Sequence, residues 1–308
     1  MKNVIVTGAT SFIGARLVQR LIEGPYKVFA VVKPNSCKAA ALPRTDKIKI
    51  IEADMKDYKN LASLVGEPCD IYFSLAWNGT RGADRNNQAM QEENYRLSIG
   101  ALRSALTLGC GIVISAGSQA EYGQYNRKIS ESTEEKPITE YGKYKLKYYY
   151  DAFQLCKEKN VDFKEPRFFS LYGEDDFEGT MIISMIKNML ENKDCLLTEC
   201  VQMWDFLYIT DAIEGMLALI ETPCGNGVYN FGSGITRPLK EYVEDMHRLA
   251  NSCSELLYGE ILYPETGMVS IEPDITKLQT QTGWFPKVSF SEGVEKIINK
   301  HSGRIVSE

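Results

Sequence analysis

Three side chains in this sequence of 308 residues have the types and spacing to move a proton: Ser118, Tyr141 and Lys145. Tyr141 and Lys145 stand four apart in a stretch, Tyr141–Lys159, whose pattern predicts a helix, so both rise from one face a turn apart. A phenol with an ordinary pKa of about 10 is a poor acid or base at neutral pH, and a neighbouring ammonium should favour the phenolate and lower that value. Ser118, just past an apolar strand at Ile112–Ser115, can hydrogen-bond a substrate oxygen. Tyr-x-x-x-Lys alone matches by chance in a helix this rich in Tyr and Lys. Of the 17 tyrosines, however, only Tyr141 has Lys four residues later, and it opens the helix that follows the strand leading to Ser118. The two histidines, His247 and His301, fall late in polar, helix-like contexts and read as surface residues. A Ser-His-Asp hydrolase or a multi-His metal site is therefore not expected, and acid–base work falls to Tyr, Lys or carboxylates.

The elements that must position these groups begin at the N-terminus. Val4, Ile5 and Val6 form a β-branched apolar run, Thr7 to Gly14 follow, and then an amphipathic stretch starts. Strand, tight glycine turn and helix in that order let backbone N–H groups approach a diphosphate and aim the positive end of a helix dipole at it. Gly8 supplies the turn, and Gly14 lets helix and strand pack closely. Ser11 takes the middle glycine position, so an ordinary turn after the first strand of a parallel sheet remains the competing reading.

Beyond the first helix (Phe12–Ile22, closed by Gly24 and Pro25), the pattern predicts strands at Lys27–Val32, Lys47–Ile51 and Ile71–Leu75. It predicts helices near Tyr58–Leu64 and ending near Gly109, and then the Ile112–Ser115 strand. This rhythm means right-handed βαβ units and a parallel sheet covered on both faces, with ligands at the carboxyl ends of the strands. The second half is less regular: helices at Gly179–Leu190, Asp211–Ile220 and Leu239–Ala250, strands at Phe206–Ile209 and Val228–Phe231, a short helix after Asp274 and a last one to Ile298. The expected fold class is α/β, a Rossmann-type doubly wound parallel sheet with a smaller, interleaved C-terminal substrate lobe. We divide it as 1–170 plus about 204–232 for the dinucleotide and about 171–203 plus 233–308 for the substrate.

A net charge of −6 without a basic arm argues against a nucleic-acid partner, and no apolar run is long enough to span a bilayer. With no signal-peptide pattern at the N-terminus, a cytoplasmic protein is expected. The eight cysteines are scattered without a Cys-x-x-Cys pair and read as reduced thiols, neither a disulfide framework nor a zinc site.

With these residues in this order, the chain resembles the short-chain dehydrogenase/reductase superfamily, in its extended, nucleotide-sugar-modifying branch, over nearly the whole length. The glycine motif is matched by Thr7–Gly14, the active-site serine by Ser118 in Ser-Gln-Ala-Glu-Tyr-Gly, the catalytic pair by Tyr141 and Lys145, and a helix asparagine by Asn94. Leu171–Gly173, Trp204–Asp211, Tyr229–Gly234 and Gly283–Pro286 resemble further family segments. From this resemblance and from the residues that follow each strand, the candidate cofactor contacts are Gly8, Thr10, Ser11, Phe12, Ile13, Gly14, Lys33, Asp54, Met55, Ala76, Asn94, Tyr141, Lys145 and Arg167. The candidate substrate contacts are Trp77, Ser118, Gln119, Ser170, Trp204 and Arg237. Trp204 stands where many members carry a diphosphate-binding arginine, Ser170 where many carry asparagine, and the C-terminal Arg-x-x-Asp is absent. Arg237 is the nearest remaining candidate for the diphosphate.

After Val32 the chain reads Lys33, Pro34, Asn35, Ser36, where an NAD-type fold usually places an acid for the ribose hydroxyls. The nearby charges, Lys33 and Lys38, are both positive, and Lys33 with Arg16 suits a 2′-phosphate, so NADP(H) is the preferred cofactor and NAD(H) the alternative. The leading expectation is a reductase of a nucleotide-linked 4-keto-6-deoxy sugar with Tyr141 as proton donor, and the runner-up is an NAD-dependent nucleotide-sugar 4-epimerase. A dehydratase would call for an acidic pair where this chain has Ser118 and Gln119. A non-catalytic dinucleotide-sensing regulator would need no proton donor. The resemblance also implies a homodimer through the helices near 90–108 and 141–158.

Overall fold

Strand β1 (Lys2–Thr7) lies at the centre of the molecule, and the computed structural model, which describes residues 1–263 and 268–302, builds outward from it. The chain continues through α1 (Phe12–Glu23), β2 (Tyr26–Val32), β3 (Ile48–Glu52), α2 (Leu61–Val65), β4 (Ile71–Ser74), α3 (Gln88–Thr107), β5 (Ile112–Ser115), β6 (Gly117–Ser118), α4 (Glu140–Glu158) and β7 (Asp162–Phe168). Then come β8 (Leu171–Tyr172), α5 (Met181–Leu190), β9 (Cys195–Leu197), β10 (Met203–Trp204), β11 (Leu207–Tyr208), α6 (Ile209–Glu221), β12 (Gly227–Phe231), β13 (Arg237–Pro238), α7 (Leu239–Ala250), β14 (Leu256–Tyr258), α8 (Thr276–Thr282) and α9 (Phe290–His301).

The main sheet is parallel, in the order β12-β7-β5-β4-β1-β2-β3, with β6 added beside β7. Strand order reverses between β1 and β4, and the crevice at such a point is where ligands bind. Side chains alternate across the sheet as a period of two demands. Val4, Val6, Val28, Ala30, Ile71 and Phe73 join the core under α1 and α6, while Ile5, Phe29, Val31, Tyr72 and Val113 join the core under α3 and α4. Burial on both faces explains why these strands read as continuous apolar runs.

The second half adds three two-stranded pairs, β8 with β11, β9 with β14 and β10 with β13, around α5, α7 and α9. The expected helix at Asp211 starts two residues earlier, at Ile209. Asp211 does not cap it; its carboxylate accepts the N–H groups of Lys287 and Val288, tying α6 to the C-terminal segment. Instead of one helix near Tyr58–Leu64 there is a 3₁₀ turn, Met55–Asn60, running into the short α2. Asp54 caps that turn, and the early start buries Met55 and Tyr58. All eight cysteines are free thiols, five of them buried. Among the described residues no helix is long and apolar enough to cross a membrane.

Candidate active site

Register brings the carboxyl ends of three strands to one level: Thr7 of β1 pairs with Ser74 of β4, and Ser74 with Ser115 of β5. The segments that follow, Gly8–Gly14, Leu75–Gly79 and Ala116–Glu121, therefore share one rim. Gly8 has φ +70°, and a Cβ there would meet the Ala76 backbone N at 2.9 Å, so only glycine lets the two loops touch. A Cβ on Gly14 would collide with the carbonyl oxygen of Gly8. Ser11, which breaks the glycine pattern, has a local job: its Oγ accepts the Gly14 N–H at 3.0 Å as the N-cap of α1. Thr10, Phe12 and Ile13 are half-buried beside it, and a cleft of about 450 Å³ lined by Thr10, Ser11, Phe12, Arg16, Lys38 and Leu42 opens along the turn. This cradle and the open N-terminus of α1 fit the diphosphate end of a dinucleotide.

Helix α4 carries the acid–base pair. Thr139 caps it by accepting the Gly142 N–H, and Gly142 lets the helix approach Ala120, whose carbonyl a Cβ there would strike. Tyr141 and Lys145 thereby come to rest against the Ser118 turn, both buried. The Lys145 Nζ donates to the Ala116 carbonyl at 2.7 Å and stands 4.1 Å from the centre of the Trp77 ring. Burial pulls its pKa down to about 8. The expected depression of the Tyr141 pKa is not found: burial pushes it up to about 12, while a hydrogen bond from Ser118 and the nearby Arg85 act in the opposite direction. Desolvation of a phenolate outweighs these partners, so the phenol holds its proton at neutral pH.

Trp77 meets the Tyr141 ring edge-on at 6.4 Å, and its indole N–H donates to Gln91. Asn94 is fully buried; it accepts from Asn78 N and donates to Asn78 O, so it holds the loop after β4 in place. The Asn78 amide reaches the Met55 sulfur at 3.3 Å, and Asp54 stands beside it at the start of the 3₁₀ turn. Lys33 is exposed at the end of β2, with Gln119 half-buried next to Ser118.

Two expected cations are committed elsewhere. Arg167 is wholly buried among Glu165 (3.1 Å), Glu121 (3.1 Å) and Glu135 (2.7 Å), with its guanidinium over the Tyr122 ring. A side chain so enclosed cannot touch a dinucleotide, and it leaves the set of cofactor contacts. Arg16 pairs with Asp175 at 2.7 Å. In the second half, Trp204 lies opposite Arg237 across the β10–β13 pair and donates to Ser170 Oγ at 3.0 Å, so these three come together. Arg237 is itself held by Asp245 at 2.6 Å and lies over the Tyr242 ring.

Sequence reasoning missed four residues here. Glu121 accepts the Ser118 N–H at 2.7 Å, closing a capping box that the Ser-x-x-Glu spacing signals. Glu165 lies under Gly117, where any Cβ would meet its side chain at 2.7 Å. Gly142 and Arg85 complete the set; no local pattern marks Arg85.

A doubly wound sheet with a glycine turn at its switch point and a buried Tyr–Lys pair beside a serine defines an oxidoreductase-type dinucleotide site. The chain belongs to the NAD dependent epimerase/dehydratase family, which its residues 4–232 match. It is 25% identical to UDP-N-acetyl-alpha-D-glucosaminuronate decarboxylase of Bacillus cytotoxicus, with 96% of this chain and 97% of that protein aligned. It is equally 25% identical to CDP-abequose synthase of Salmonella muenchen, with 97% of each covered. Among solved structures, UDP-N-acetylglucosamine 4-epimerase of Methanobrevibacter ruminantium superimposes with a TM-score of 0.88 at 21% identity, covering 99% of both chains. UDP-glucuronic acid 4-epimerase of Bacillus cereus, solved with NAD, gives 0.83 at 22% identity, covering 98% of this chain and 99% of that one.

Proposed function

We propose that this chain reduces a nucleotide-linked 4-keto-6-deoxy sugar with NADPH. When bound, the cofactor supplies hydride. Tyr141 gives its proton to the oxygen being reduced, Ser118 hydrogen-bonds that oxygen, and buried Lys145 fixes the tyrosine's surroundings. The observation that carries the reading is the placement of Tyr141: α4 packs its phenol, with Lys145 one turn on, against the Ser118 turn and edge-on to Trp77 at the rim of the sheet, where it can hand a proton to a substrate oxygen. The end of β2, with Lys33 and no carboxylate before the chain turns away, agrees with a 2′-phosphate. The whole-length likeness to CDP-abequose synthase is consistent with it.

A second reading, an NAD-dependent 4-epimerase, is favoured by two observations. Glu52 pairs with Val32 on the neighbouring strand, so an exposed carboxylate stands at that level, and Arg16 is committed to Asp175. We assign the dinucleotide to residues 1–170 with about 204–232 and the sugar nucleotide to about 171–203 with 233–308, and we infer a homodimer through α3 and α4.

The test is incubation with nucleotide 4-keto-6-deoxyhexoses and deuterium-labelled NADPH. Reduction requires loss of NADPH absorbance in step with product and deuterium at the former carbonyl carbon. Interconversion of two nucleotide hexoses without cofactor consumption would give the site to the epimerase, and undiminished NADPH affinity in Lys33→Glu would remove the cofactor argument.

A further inference from the structure

Arg85 sits in a 3₁₀ turn, Gly82–Asn86, in the loop between β4 and α3, and its guanidinium carbon is 4.7 Å from the centre of the Tyr141 ring. The loop is pinned on both sides of it. Gln91 donates to the carbonyls of Gly79 and Asp84 at 3.0 and 2.9 Å, and Asn86 accepts the N–H of Glu140, the residue before Tyr141, at 3.3 Å. Arg81, four residues earlier, is spent on Asp176 at 2.9 Å. Arg85 makes no ion pair among the described residues and reaches only its own loop, at the Thr80 carbonyl, 3.4 Å.

The other charged or titratable groups around Tyr141 leave Arg85 in a singular position. Glu121, on the turn after Ser118, and Glu165, on β7, are carboxylates that oppose a phenolate. Lys145, on the same helix, directs its Nζ to the Ala116 carbonyl and the Trp77 face. A guanidinium on a ring face is attracted by the ring's π electrons, and more strongly once the ring carries a negative charge.

We propose that Arg85 is a positioning residue that works through Tyr141, stabilising the phenolate left when the tyrosine gives up its proton. In that step the Tyr141 O–H bond breaks, the proton passes to the substrate oxygen, whose carbon would take the hydride that a bound cofactor supplies, and the electron pair stays on the phenolate until solvent re-protonates it. Burial is the largest cause that lifts the phenol to about 12, Glu121 and Glu165 add to it, and Arg85 acts against it. The inference rests on Tyr141 as the proton-transfer group in the reading above and is indifferent to the sugar and to the direction of reaction.

The experiment is an ultraviolet titration of phenolate in protein saturated with oxidised cofactor, with the signal of Tyr141 isolated by subtracting the matching Tyr141→Phe protein. Arg85→Gln is expected to move the Tyr141 titration to higher pH by roughly half a pH unit or more. Circular dichroism over the same range checks that each variant stays folded; should Arg85→Gln fail that check, Arg85→Met takes its place in the same comparison. An unchanged titration in the folded neutral variant would overturn the proposal. Because no substrate is used, this result stands apart from the hydride stoichiometry on which the proposed reaction is judged.

Discussion

At the scale of single residues, burial decides the chemistry of the site more than pairing does. Four residues apart on a helix, Tyr141 and Lys145 suggest a phenol made acidic by an ammonium, yet both titrate in the direction that desolvation dictates: the phenol up to about 12 and the ammonium down to about 8. The lysine has a consequence for stability. Its pKa falls from 10.5 to about 8 on folding, so between those values the unfolded chain holds a proton that the folded chain has released. Stability therefore rises with pH across that window, and the penalty is full below it. Relative to the parent, Lys145→Met should thus fare best below pH 8 and lose that advantage steadily towards pH 10.5, as read from urea unfolding midpoints at a series of pH values. A difference that does not change with pH would show that the buried ammonium carries no such penalty. Arg167 illustrates the same rule in reverse: a charge is tolerated in the interior only because Glu121, Glu135 and Glu165 surround it.

At the scale of elements, the parts that depend on local pattern were the legible ones. Ile112–Ser115 and Leu239–Ala250 have the bounds that apolar runs and helical periodicity indicate, and the strand–turn–helix at Val4–Ile22 is off by a residue at its end. Parts decided by distant contacts were not legible. Nothing near Asp211 in the chain announces that Lys287 and Val288 will claim its carboxylate, and nothing near Arg167 that three glutamates converge on it. Arg85 meets Tyr141 where Asn86 ties the loop before α3 to the first residue of α4. The glycine turn is the element on which the cofactor cradle depends most. Gly14→Ala sets a methyl against the Gly8 carbonyl, so the turn must open or the helix must lift away from β1. Cofactor affinity measured by fluorescence titration should fall at least tenfold, with stability lowered by about 1–3 kcal/mol as for other overpacked sites. Unaltered affinity would mean that the turn does not hold the diphosphate.

At the scale of the molecule, one sheet gathers residues from distant parts of the chain onto a single rim. Helices α3 and α4 pack together on one face, where Tyr95 donates to Asp151 and lies under Lys147. If a second copy docks there, sedimentation equilibrium should return twice the monomer mass of 34.7 kDa, and charge reversal at Arg96 and Arg103 should weaken the association. A monomer at all concentrations would exclude that arrangement. The claim on which everything else rests is that Tyr141 passes the proton. Tyr141→Phe removes one hydroxyl oxygen from a packed ring, so its melting temperature and cofactor affinity should stay close to those of the parent. Turnover, measured on whichever nucleotide sugar the parent converts, should fall by roughly 10²–10⁴, the range for loss of a positioned acid. Full turnover in the phenylalanine protein would contradict the account.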